Sequence, residues 1–328
     1  MGIIAAQESL FPEMELKQKE WAKLSGSHSG HCRMEIWLAA NGWPREDREG
    51  ASMRTMNLGT LAELAMFDKV IVFDPVANAA DSIGPWWPEM GVLKDPVSGE
   101  SIDCQKSEIV LRQAEVDIDG VMGHLDGVAL VPHLKFKTNL PELEAEVKIE
   151  PVVLDAKTMP GLTWKRNYDG DLLENPFSRE YVFQLQFYLE GLRRKGGVVV
   201  QGKNYGVPKR AALVCFNKEN SKVILRFVHY DESLVAEMHE RLSWGRSESE
   251  PKPDWPWQKG KPVPLRCQYC DYRQSCAGVR GATVVEAEKG AKGWVCSSLT
   301  TEGKDEQGQD GEGHQDARKA DALPPEED

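Results

Sequence analysis

The stretch Glu150-Pro151-Val152-Val153-Leu154-Asp155-Ala156-Lys157-Thr158 constrains this chain more than any other. Three consecutive apolar residues running into Asp-Ala-Lys read as a short buried strand with a polar end. Side chains alternate across a strand, so Asp155 and Lys157 fall on the same side, beside one another. A carboxylate and an ammonium at the end of an apolar strand suit a divalent cation facing a phosphodiester. The acid holds the metal, while the lysine positions or activates a water and stabilises charge on phosphate. Acid-x-lysine triplets also occur as plain ion pairs on solvated strand faces. What this one means depends on what converges on it.

The chain has 328 residues, enough to bury one large core or two modest ones. Apolar residues make up 41% and charged residues 28%, the balance of a soluble globular protein. No apolar run approaches the ~18–20 residues that span a bilayer. Met1 to Leu10 lack a basic region followed by a long apolar core, so a secretory signal is not expected and the reading is cytoplasmic. Net charge is −12, but residues 301–328 carry ten acids and three bases, −7, which leaves −5 for the first 300. That balance argues against a general nucleic-acid coat and is compatible with an enzyme holding a local basic groove. Seven cysteines in a cytosolic chain point to metal or reduced thiols before a disulfide framework.

Taken in order, residues 1–25 read as a polar, helix-prone lead-in, followed by a small-residue loop that ends near Cys32. A helix is expected from Met34 to about Asn41, stopped by Gly42-Trp43-Pro44. A second covers 53–69, with Gly59 and Glu63 four apart on one face. Strands are expected at Lys69–Phe73, Ser107–Arg112 and Val121–Leu125, around a turn whose Trp86 and Trp87 read as packing plugs. Gly123 to Leu130 reads as two strands or one bent strand, with Asp126 at the bend, and a polar insertion from Lys135 to Lys148 precedes the Asp155 strand. A basic and aromatic loop follows (Trp164, Lys165, Arg166, Tyr168), then a helix from Ser178 to Lys195. That helix has Tyr181, Gln184, Leu185 and Tyr188 on one side. Arg193, Arg194 and Lys195 stand at its C-terminal end, where cations suit the helix dipole. A hairpin (Ala211–Phe216, Val223–Val228), a helix from Leu234 to Trp244 and a Pro/Trp loop complete the body. From Thr300 the composition is that of a disordered acidic tail.

Cys267, Cys270 and Cys276 form C-x2-C-x5-C in a stretch read as a loop, and three thiols so close usually converge on a metal. A fourth ligand must come from elsewhere. Cys215 sits in an apolar strand, Cys104 in a loop, and Cys296 near the tail. Cys32, just before a helix, is the better choice and would staple the two ends of the domain. Ligand count alone does not separate zinc from iron–sulfur.

In their order, these pieces resemble the RecB-like branch of the PD-(D/E)xK nucleases, restricted to members with an iron–sulfur cluster, such as the AddB-type nuclease domain and the CRISPR-associated exonucleases. The similarity covers roughly residues 25–280. It runs from Cys32 through the Gly59/Glu63 helix, Gly123-His124-Leu125-Asp126, Asp155-Ala156-Lys157 and Gln184/Tyr188 to the cysteine trio. Two departures are aspartate at 155, where glutamate is commoner, and Glu63 where histidine is common.

The resemblance implies an α/β, restriction-endonuclease-like fold: a mixed central sheet flanked by helices, over residues 26–299, with a cap stapled by a 4Fe–4S cluster on Cys32, Cys267, Cys270 and Cys276. Zinc is the lesser alternative. It further implies Mg2+ or Mn2+ held by Glu63, Asp126, Asp155 and the Ala156 carbonyl. Asp126, Asp155, Lys157, Gln184 and Tyr188 make up the catalytic set. Read from the residues themselves, Trp164, Lys165, Arg166, Tyr168, Arg193, Arg194 and Lys195 form either the basic and aromatic track that a single strand of DNA needs or plain solvated faces. The expected activity is exonuclease action on DNA ends or single strands, beside recombination or replication proteins. The rival readings are a catalytically silent single-strand-binding or partner-docking protein on the same scaffold, and a zinc-stabilised regulatory protein.

Overall fold

The computed structural model describes residues 24–46, 50–74, 79–83, 85–135, 146–159, 172–217, 219, 222–287 and 293–299. The expected lead-in up to residue 23, most of the polar insertion, the loop holding Trp164, Lys165 and Arg166, and the acidic tail lie outside these residues.

A sheet of seven strands, in the order β11-β10-β7-β6-β4-β3 with β5 also paired to β6, forms the centre. Its long members are β5 (Glu108–Ile118), β6 (Val121–Lys135), β7 (Glu146–Met159), β10 (Arg210–Asn217) and β11 (Val223–His229), while β3 (Val92–Lys94) and β4 (Ser101–Asp103) are short. β7 runs antiparallel to β6 and parallel to β10, so the sheet is mixed. Three two-stranded ribbons stand apart: β1 (Val70–Asp74) with β2 (Ala79–Ile83), β8 (Val199–Val200) with β9 (Lys203–Asn204), and β12 (Ala282–Glu286) with β13 (Trp294–Leu299). The helices are α1 (Arg33–Ala40), α2 (Gly50–Phe67), α3 (Trp86–Glu89), α4 (Pro176–Arg194), α5 (Glu232–Ser243), α6 (Leu265–Gln268) and α7 (Arg273–Val279).

Period-two alternation in the middle strands builds a core on each face of the sheet. Val153 with Ala211, Leu213 and Cys215 packs into one core with Phe183, Leu185, Phe187 and Leu189 of α4. Val152, Leu154 and Ala156 with Ala212 and Val214 pack into the other, under Ala62, Ala65 and Met66 of α2 and the two tryptophans of α3. Trp86 stacks on Phe216 at 4.5 Å and the Trp87 indole N–H donates to Ser107 at 2.5 Å, so both serve as packing plugs. A third core joins Cys32, Met34 and Leu38 to Trp257, Tyr272, Cys276, Val284 and Cys296, bringing the first and last described segments together.

Several expectations are narrowed or corrected. Of the two forms expected for Gly123 to Leu130, the single bent strand is the one found, within a 15-residue strand. The bend survives as a slip in alternation: Val121 and Leu125 share a core with Val128, while Ala129 and Val131 enter the other. The phase changes between Leu125 and Val128, where Asp126 sits. The polar insertion is shorter than expected, because β6 runs to Lys135 and β7 begins at Glu146, and their ladder pairs those two residues. The cysteine segment is two short helices, where a loop was expected. The β12–β13 ribbon was not anticipated, since Val284-Val285 and Val295 are too few apolar residues to stand out in sequence.

At the far end of the sheet, the buried Arg210 guanidinium gathers three acids. It bonds Asp95 at 2.5 Å, Glu150 at 3.3 Å, and Glu100. His229 joins Asp95 at 2.8 Å. Unpaired ions are costly to bury, so these groups hold one another in place.

Candidate active site

The last β6–β7 ladder pair before the site is Gly127 with Leu154. Beyond it the strands part, and Asp126 and Asp155 stand at the open end. The Ala156 N–H, which has no backbone acceptor in that ladder, donates to Asp126 Oδ2 at 2.7 Å. One acid side chain thus completes the hydrogen bonding of the strand that carries the other acid.

Asp155 is fully buried. Lys157 Nζ donates to its Oδ1 at 2.9 Å and lies 2.8 Å from Oδ2, the second contact being charge alone; Oδ2 accepts no hydrogen bond. Burial, then the nearby Asp155 charge, pushes the Asp126 carboxyl up to about 8. Asp155 is raised by burial and pulled back by Lys157. Burial alone would lower Lys157, but Asp155 and Asp126 outweigh it and hold the ammonium charged. Asp126 is thus held toward its protonated form, and a divalent cation would bind there by displacing that proton, with Asp155 Oδ2, which accepts no hydrogen bond, offering it a lone pair beside the ammonium.

Glu63 approaches from α2, close enough for its charge to raise Asp126, and its Oε1 accepts the Gln113 side-chain amide. Among the described residues no three His, Cys, Asp or Glu side chains lie close enough to share one ion. The three acids are neighbours, engaged in this structure with Ala156, Lys157 and Gln113.

From the other face, α4 presents Tyr181, Gln184 and Tyr188 at successive turns. Lys157 Nζ lies 5.5 Å from the centroid of the Tyr181 ring. Gln184 Nε2 donates to Tyr188 Oη at 2.5 Å, and the Tyr188 hydroxyl is raised by burial and by the Asp155 charge. Gly123 explains the first position of Gly123-His124-Leu125-Asp126: a Cβ there would come within 2.7 Å of Phe187 and 3.1 Å of Tyr188. His124 itself is exposed and pairs with Glu115 at 3.1 Å, away from the acids.

Cys32, Cys267, Cys270 and Cys276 line one cavity with Glu35, Arg266, Trp255 and Trp257. All four are free thiols, raised by burial, Cys32 to about 12 and Cys276 to about 11. Cys104, Cys215 and Cys296 are fully buried packing residues. Arg266 ties this cap to the site helix through Glu180 of α4, at 2.5 Å. Arg193, Arg194 and Lys195 are exposed but engaged. Arg194 binds Glu190 at 2.8 Å and Asp119 at 3.0 Å, Arg193 lies 3.7 Å from Glu190, and Lys195 donates to the Glu115 carbonyl at 2.6 Å.

Two neighbours of the acids were not anticipated. Tyr181 was legible as part of the α4 face, though not as a partner for Lys157. Gln113 left no sequence signal, because its position depends on an irregular backbone.

Residues 142–277 match the family model of the PD-(D/E)XK nuclease superfamily. That span holds Asp155, Lys157, Gln184, Tyr188 and the late cysteine trio, and leaves out Glu63, Asp126 and Cys32. No curated protein matches the sequence. Among solved structures, an alkaline exonuclease (LHK-Exo) from Laribacter hongkongensis is similar with a TM-score of 0.37 and 12% identity, covering 70% of this chain and 89% of that one. SSO0001 gives 0.32 and 11%, covering 76% and 84%. A phage-related exonuclease from Haemophilus somnus 129PT gives 0.28 and 11%, covering 68% and 91%. Likeness at this level carries no argument about activity.

Proposed function

We propose that the chain is a metal-dependent deoxyribonuclease of the PD-(D/E)xK type, an exonuclease hydrolysing phosphodiester bonds at DNA ends or in single strands. One observation carries the reading: Asp126, Asp155 and Lys157 meet at the open end of one ladder, the buried Asp155 carboxylate held by the lysine and one of its oxygens accepting no hydrogen bond. The family match over residues 142–277 supports it.

Asp126, Asp155, the Ala156 carbonyl and Glu63 would hold Mg2+ or Mn2+. When bound, the ion neutralises charge on the scissile phosphate and lowers the pKa of a water. Lys157 enters as an ammonium, since its acid neighbours hold it above its ordinary value. It acts as a donor to the attacking water or a phosphate oxygen, and the activation of water by a neutral lysine is set aside. Tyr181 and the Gln184–Tyr188 pair keep the lysine and the nearby backbone in register from α4. Arg193, Arg194 and Lys195 would meet DNA by exchanging their present partners for phosphate. Trp164, Lys165 and Arg166 are assigned to the same track.

We assign the nuclease domain to residues 26–299 and a 4Fe–4S cluster to Cys32, Cys267, Cys270 and Cys276, supported by the shared cavity. The role is recombination, repair or phage DNA processing. None of the seven cysteines is in a disulfide, which suits the cytoplasm, and no helix among the described residues is long and apolar enough to cross a membrane.

The reading is tested with end-labelled linear DNA, single- and double-stranded, beside closed circular duplex, in Mg2+ or Mn2+. Linear DNA should be degraded from its ends while circles persist. Binding without cleavage in either metal would favour the silent single-strand-binding protein.

A further inference from the structure

Two consecutive residues of β5 reach the same helix. Neighbours in a regular strand point to opposite faces. Yet the Arg112 guanidinium bonds Asp68 and lies 5.1 Å from the Phe67 ring centroid, while the Gln113 amide donates to Glu63. Glu63 and Phe67 lie on α2, and Asp68 follows its end. Both strand residues are exposed, a break in the alternation that returns from Ala114 onward.

The cause is the backbone of Gln113, whose φ of 48° is left-handed. Few residues other than glycine adopt this conformation, and one placed inside a strand is held there by its surroundings. The register fixes its place, because Arg112 pairs with Gly127 and Ala114 with Leu125, which sets Gln113 opposite Asp126. The left-handed residue therefore faces one acid of the site and holds a second. Close approach of α2 is built in nearby, where a Cβ on Gly127 would come within 2.4 Å of Phe67.

We infer that Gln113 is a positioning residue: its left-handed backbone turns the side-chain amide onto Glu63 and fixes that carboxylate beside Asp126, at the edge of the cation site that Asp126 and Asp155 would form. Docking of α2 is already served by Arg112 through Asp68 and Phe67, so the exposed Gln113 amide is spent on Glu63. The inference rests on the nuclease reading and extends it to a residue outside the acid, lysine and glutamine–tyrosine set.

The test is Mn2+ titration of the full chain, followed by the electron paramagnetic resonance of free Mn2+, with thermal melts in parallel. The proteins are wild type, Asp155→Ala, Glu63→Gln, Gln113→Gly, Gln113→Asn and the double variant Glu63→Gln/Gln113→Gly. Glycine relieves the left-handed backbone but removes the amide, so Gln113→Gly should keep or raise the melting temperature. Its Mn2+ Kd should nonetheless rise by roughly tenfold, the scale of lost support to a metal ligand. Gln113→Asn tolerates the conformation but is one methylene short, and should fall between. The double variant should bind no more weakly than Glu63→Gln alone, because both changes remove one interaction. Wild-type affinity in Gln113→Gly, or fully additive losses in the double variant, would overturn the inference while leaving the site intact. Mn2+ binding that survives Asp155→Ala unchanged would overturn the site itself, and the inference with it.

Discussion

Asp126 accepts the backbone N–H of Ala156 at 2.7 Å, so the carboxylate of one strand finishes the hydrogen bonding of the next where their ladder opens. The same group is pushed up to about 8 by burial and the Asp155 charge. A carboxyl raised on folding contributes stability that is fully present below its unfolded pKa, about 3.9, and is lost as pH rises through the folded value. Asp126→Asn retains an oxygen for Ala156 and removes the titration. Its melting temperature in EDTA should therefore gain on wild type as pH climbs from 5 to 9, and a gap independent of pH would contradict this.

Asp155 is fully buried with Lys157 as its ionic partner. Removing one partner of such a pair leaves a buried charge, typically about 3–5 kcal/mol. Lys157→Met should show a loss of this order by denaturant unfolding in EDTA. Adding Asp155→Asn should recover much of it; a double variant as unstable as the sum of the singles would mean the pair is not coupled.

Gly123 permits α4 to lie against β6. In Gly123→Ala the new methyl would sit 2.7 Å from Phe187 and 3.1 Å from Tyr188. Overpacking of this kind costs about 1–3 kcal/mol. Cleavage should fall beyond what the lost stability explains, since Tyr188 moves with the ring beside it. Wild-type melting and activity together would show that the helix does not depend on this contact.

Four thiols line one cavity in which burial disfavours their ionised forms, so a bound cationic group would supply what thiolates require. Anaerobically purified protein should show iron and an absorbance band at about 400 nm. Cys276→Ser should lose both and melt lower. Colourless protein carrying stoichiometric zinc would replace the cluster with a tetrahedral site.

The central strands were legible because alternation between two cores imposes a strict pattern on Val152 to Ala156 and on Ala211 to Cys215. Asp126, Asp155 and Lys157 were legible for the same reason: each interrupts an apolar run where a polar group needs a purpose. Glu63 was placed by helical spacing, while its engagement by Gln113 was not, because a left-handed residue breaks the periodicity on which sequence reading depends. The two short helices around the cysteines were read as a loop. Each spans about one or two turns, too few residues to show a helical period. The buried Arg210 cluster joins positions far apart in sequence, and no local pattern announces it.

In the proposed nuclease, Asp155 holds the ion that hydrolysis requires. The most direct measurement is single-turnover cleavage of end-labelled single-stranded DNA in Mg2+ and in Mn2+, comparing wild type with Asp155→Ala of verified fold. Wild type should degrade the strand steadily and the variant not at all, in either metal. Cleavage by Asp155→Ala at the wild-type rate would contradict it.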